Sequence, residues 1–137
     1  MDKVELKLMC EFRSEYFMNG NVKFAYLYRD AANYKAWNSV VFVNSSDLNL
    51  EDIEGQLRRS FDSGELFIAG QVRVPEVFSY IHGAVTKTDH CYHEFDSVQV
   101  SEEVPNDVYG RSIWKFIQEV EGEARAGWQV FDPNERK

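Results

Sequence analysis

Residues 4–29 read VELKLMCEFRSEYFMNGNVKFAYLYR, and the fold class turns on them. Val4, Leu6, Leu8, Cys10 and Phe12 alternate with Glu5, Lys7, Met9, Glu11 and Arg13, the period of two of a half-buried strand. A second run, Val22 to Arg29, sets Val22, Phe24, Tyr26 and Tyr28 on one side. Asn19-Gly20-Asn21 between them tolerates positive φ, so a hairpin is expected. A three-residue loop at 19–21 pairs Met18 with Val22, Tyr16 with Phe24 and Phe12 with Tyr28, keeping the aromatic stripe on the face of Leu6 and Leu8. A two-residue loop scatters it.

Outward from this hairpin, residues 30–38 read as a connector with one helical turn and Ser39 to Val43 as a short strand. Asn49 is a candidate helix cap, with Leu48 placed to staple onto Ile53 and Glu51, Asp52 and Glu54 suited to the positive helix end. Leu50, Ile53, Leu57 and Phe61 form its apolar stripe, Arg58 and Arg59 its basic end and Gly64 its stop. Residues 65–74 read as a strand bulged at Gly70, Pro75 to His82 as a short helix, and 89–100 as a further strand. SEEVPND is an acidic loop. The last helix is expected over 111–126, with Ile113, Phe116, Ile117, Val120 and Ala124 on one face and Gly127 after it. The expectation is an α+β fold: a mostly antiparallel sheet of about five strands, with two main helices on one face. Residues 1–137 form one domain, its tail from about 129 onward free to fray.

The chain carries 23 acidic and 15 basic residues, a formal charge of −8, and the deficit lies beyond residue 44. Such a surface repels phosphate, which argues against nucleic acid and anionic lipid and for a basic protein partner. The segment Lys23-Phe24-Ala25-Tyr26-Leu27-Tyr28-Arg29 interleaves basic and aromatic residues, but lacks the glycine that RNA-reading strands carry after the first basic residue. No run is long and apolar enough to span a bilayer, and no export signal is read, so the cytoplasm is the expected location. Cys10 and Cys91 are then expected as reduced thiols, and the sequon Asn44-Ser45-Ser46 as a plain loop.

All three histidines fall between positions 82 and 93, in a stretch that ends Asp89-His90-Cys91-Tyr92-His93-Glu94-Phe95-Asp96. Imidazole, thiolate and carboxylate all donate lone pairs. A strand, however, would send His90 and His93 to opposite faces, and neither C-x-x-C nor H-E-x-x-H spacing occurs. No catalytic residues, metal ligands or cofactor are assigned. The candidate ligand-binding set is Tyr26, Tyr28, Arg29, His82, His90, His93 and Glu94, where polar groups and amphipathic rings could line a pocket. The leading expectation is a small non-enzymatic binding protein that engages a basic protein, as an inhibitor or adaptor, or pairs with itself through a sheet edge. The alternative is a small-ligand binder or simple hydrolase that uses residues 82–96.

Overall fold

The computed structural model describes residues 20–45, 47–78 and 89–136. In chain order these form β1 (Asn21–Arg29), β2 (Lys35–Phe42), α1 (Leu50–Ser60), β3 (Leu66–Phe67), a 3₁₀ turn (Ala69–Val72), β4 (His93–Ser101), α2 (Ile113–Ala126) and a closing 3₁₀ turn (Pro133–Arg136). The sheet is antiparallel throughout, in the order β2-β1-β4-β3.

The α+β class holds, with four strands in the described sheet where about five were expected. The expected strand over 4–12 lies outside the described residues. Its proposed pairing with β1 is overturned from the β1 side. From Val22 to Leu27 that strand is hydrogen-bonded to β2 on one edge and β4 on the other, and a strand has only two edges. The true hairpin partner is β2, which begins at Lys35, so residues 35–38 are strand and not connector. The turn before it is held without a helical turn. Asp30 donates its N–H to the Tyr34 carbonyl, its carboxylate accepts from the N–H groups of Ala32 and Tyr34, and Asn33 takes φ 70°.

One face of β1 builds the core. Val22, Phe24 and Tyr26 are fully buried there, with Val40 and Phe42 from β2 and Phe95 and Val98 from β4. The register slips after Ala25, which pairs with Ser97 while Tyr26 pairs with Phe95, leaving Asp96 as a bulge. The extra residue lets Phe95 and Val98, an odd spacing, reach the same core. Phe24 is central, with ring centroids 5.0 Å from Phe116 of α2, 6.4 Å from Phe61 at the end of α1 and 5.8 Å from Phe67 of β3. Both helices therefore lay their apolar stripes, Ile53 and Leu57 or Ile113, Phe116, Ile117 and Val120, on this face.

The caps follow local chemistry. Asn49 Oδ1 accepts from Asp52 N–H to start α1, and Ser112 accepts from Lys115 N–H to start α2 at Ile113, two residues after the expected Arg111. Gly127 stops α2 at φ 104°.

The expected strand over 65–74 is reduced to Leu66–Phe67, because the chain turns into 3₁₀ geometry from Ala69. Strand β4 starts at His93, and residues 89–92 precede it. Residues 75–78 have no regular secondary structure where a helix was expected. The Pro75 carbonyl accepts from Tyr26 Oη and Val77 N–H donates to His93 Nε2, so side chains from the sheet hold this segment. The rest of that expected helix lies outside the described residues. The C-terminal segment is tied back where Gln129 N–H donates to Gln71 Oε1 and where the Phe131 ring meets that of Phe78.

Candidate functional site

Four of the seven side chains selected from sequence lie together, packed tightly beside the core. Tyr26 and Tyr28 are fully buried. Tyr26 Oη donates to the Pro75 carbonyl at 2.6 Å and accepts from Asn38 Nδ2 at 3.0 Å, and burial raises its pKa well above the usual phenol range. Tyr28 Oη donates to the His90 carbonyl and accepts from His90 N–H. His90 bonds the Arg29 carbonyl through Nε2 at 2.8 Å and accepts Tyr92 N–H at Nδ1, which fixes its neutral tautomer.

His93 is fully buried among Tyr26, Tyr28, Phe67 and Phe78, the nearest ring centroid being that of Phe78 at 4.6 Å. Its Nε2 accepts Val77 N–H at 2.9 Å, so the neutral ring carries its proton on Nδ1, where no hydrogen-bond acceptor meets it. Desolvation, helped by the neighbouring His90, lowers its pKa to about 3. It stays neutral at ordinary pH.

Arg29 and Glu94 lie on the opposite sheet face in a fork, with Nε and Nη2 each 3.1 Å from a carboxylate oxygen. His82 lies outside the described residues. Among those described, no three His, Cys, Asp or Glu side chains are grouped to hold a metal ion. Cys91 is a buried free thiol. Asn44 of the sequon is buried, and its amide is bonded both ways to the Leu48 backbone.

A second constellation escaped the sequence reading. Arg111 is buried, yet all its donors are placed. Nε and Nη2 grip the two oxygens of Asp107, Nη1 donates to the Val72 carbonyl and Glu119, and Nη2 also reaches the Arg73 carbonyl, all at 2.8–2.9 Å. Its guanidinium lies 5.2 Å from the centroids of Tyr109 and Phe116. Arg73, held in the left-handed region at φ 62°, pairs with Glu119 and stacks on Tyr109 at 4.3 Å. Desolvation would raise the carboxyl pKa values of Asp107 and Glu119, but the hydrogen bonds from Arg111 (and, for Glu119, from Arg73) outweigh it and hold both below the usual range.

This cluster fastens the loop 102–110. One residue before Asp107, Asn106 donates its N–H to the Val41 carbonyl and accepts Val41 N–H at Oδ1. On either side of these adjacent anchors the loop turns apolar groups outward: Val104 is 81% exposed, Val108 86% and Tyr109 54%. Val43 and Trp114, both partly exposed, lie at the adjoining end of β2 and first turn of α2, where Ile113 N–H meets the Val43 carbonyl. Glu102 and Glu103 border the loop and are exposed. An open cleft of about 420 Å³ lies beside it, walled by Val108 and Tyr109 on one side and Arg73, Val74 and Pro75 on the other. None of Tyr26, Tyr28, His90 or His93 lines it.

Local sequence carries one trace of this site, the Asp107–Arg111 spacing of four. Compared with protein-family models, with curated proteins and with solved structures, the chain matches none. Among the described residues no helix is long and apolar enough to cross a membrane.

Proposed function

We propose that this chain is a non-enzymatic protein-recognition module of the cytoplasm whose docking surface is the loop 102–110. The carrying observation is an exposed apolar loop fastened at its middle, by Asn106 to β2 and by Asp107 to the buried Arg111. Exposed apolar groups normally cost solubility, and a fastened loop loses little conformational entropy on binding. With Glu102 and Glu103 at its border and a net charge of −8, the fitting partner is a protein with an apolar spot ringed by Lys and Arg. The alternative, a small-ligand binder or hydrolase built on Tyr26, Tyr28, Arg29, His90, His93 and Glu94, has less support, because all their side chains are hydrogen-bonded within the fold, His93 through Nε2 alone, and none of Tyr26, Tyr28, His90 or His93 lines the cleft.

The test is quantitative capture from lysate on the wild-type chain and on Val108→Asp, followed by titration of the recovered protein in purified form. A partner whose affinity falls at least tenfold with Val108→Asp and weakens with added salt supports the proposal. Identical recovery on both baits rejects it.

A further inference from the structure

Strand β2 is an edge of the described sheet. Its pairing with β1 decides which backbone groups face out. Asp30 N–H bonds the Tyr34 carbonyl, so this pair and every second pair after it (Tyr28 with Ala36, Tyr26 with Asn38) are the hydrogen-bonded ones. Lys35, Trp37, Ser39 and Val41 therefore turn their N–H and C=O groups away from β1. Val41 confirms the phase, since Asn106 takes both of its groups. Among the described residues nothing takes those of Trp37 or Ser39.

We infer that this edge pairs with β2 of a second copy, antiparallel about a two-fold axis at Trp37. Three observations select a second copy. First, the open stretch has fixed ends: Asn106 closes it at Val41, and the chain leaves the edge line in the turn before Lys35. Its midpoint is Trp37, so self-pairing sets Trp37 against Trp37 and Lys35 against Ser39, with matched hydrogen-bonding groups. Second, Trp37 is 57% exposed, and cross-strand aromatic pairs stabilise such contacts. Third, β2 (KAWNSVVF) contains no carboxylate in a chain of charge −8, and this register places no two lysines opposite each other. The one charge on the open stretch, Lys35, sits at its end, where the self-pairing sets it against Ser39, and an open strand edge is a template for another strand.

The test is sedimentation of the full chain across micromolar to millimolar concentrations, at low and high salt. The expected result is a reversible dimer of the 16.0 kDa chain, tightened by salt because two −8 copies repel. Trp37→Glu should weaken it at least tenfold with circular dichroism unchanged. Ser39→Pro, which removes one outward N–H, should do the same. A monomer throughout, a dimer indifferent to both variants, or a monomer whose Trp37 and Ser39 amides resist hydrogen exchange would overturn the inference. Because docking of a basic partner must weaken with salt, failure here and failure of the loop proposal remain separable.

Discussion

Arg111 and Asp107 meet through two parallel N–H···O contacts of 2.9 Å each, with 3% and 4% of their side chains exposed. A pair so far from water stands on its geometry, because each ion is costly to bury alone. Arg111→Met leaves the Asp107 carboxylate without its partner and should lose about 3–5 kcal/mol in urea unfolding at pH 7. Arg111→Met combined with Asp107→Leu should recover most of that. A loss below about 1 kcal/mol for the single variant would mean that the fork does not hold the loop.

His93 makes stability depend on pH in a definite direction. Its folded pKa is lowered to about 3, so protons bind the unfolded chain more readily. The contribution is complete above the unfolded value of roughly 6.5 and is lost as pH falls toward 3. At full extent a shift of that size corresponds to on the order of 5 kcal/mol. Urea midpoints should fall between pH 6.5 and pH 4, and His93→Gln, whose amide oxygen can still accept Val77 N–H, should flatten that slope. An equal slope in both proteins would assign the effect elsewhere. Asp107 and Glu119 act further down the scale, their lowered pKa values withdrawing stability only below the ordinary carboxylate range.

Much of this was readable in advance, and the boundary is physical. Helix α1 announces itself within a dozen residues, because Asn49, Glu51, Asp52, Arg58 and Arg59 interact with their own backbone and its dipole. The aromatic stripe of β1 was equally plain. Its partners were not: β4 joins from far along the chain, and β2 was hidden because Lys35, Trp37 and Asn38 read as a wet connector. Grouping Tyr28 with His90 and His93 anticipated true neighbours, but their packing depends on residues 75–78, which no local rule places. Arg111 was least legible. An arginine is usually a surface residue, and only three distant carbonyl and carboxylate partners bury this one.

Tyr26→Phe keeps the ring and removes the hydroxyl that ties Pro75 and Asn38 together. Leaving the Pro75 carbonyl without its donor should cost about 1–2 kcal/mol by denaturant titration. Faster hydrogen exchange at the Val77 amide, its neighbour in the same segment, is the local sign. Unchanged exchange there would show that His93 alone anchors residues 75–78.

Arg73 separates backbone strain from side-chain pairing. Ala at this left-handed position loses the Glu119 pair and keeps the strain, whereas Gly loses the pair and the strain together. Arg73→Gly should therefore be more stable than Arg73→Ala by about 1 kcal/mol. The reverse order in thermal melts would mean that φ 62° is not retained in the variant.

On the exposed loop, Val108→Asp should change unfolding free energy by less than about 0.5 kcal/mol, because the side chain packs against little. A larger loss would reveal a structural role for the loop and disqualify that variant as a probe of docking.

The central position of β1 also constrains the order of folding. Its pairing with β2 spans only the turn at 30–34, whereas its pairing with β4 joins Leu27 to Glu94 and Val22 to Val100. A hairpin closes within microseconds, while the distant strand must first meet the entropy of a long loop. A chain emerging from the ribosome thus presents a hairpin whose far edge on β1 lacks β4 until residue 101 has been made. Slow synthesis between residues 42 and 93 would prolong that exposure, and chaperone occupancy of the nascent chain should peak in the same interval.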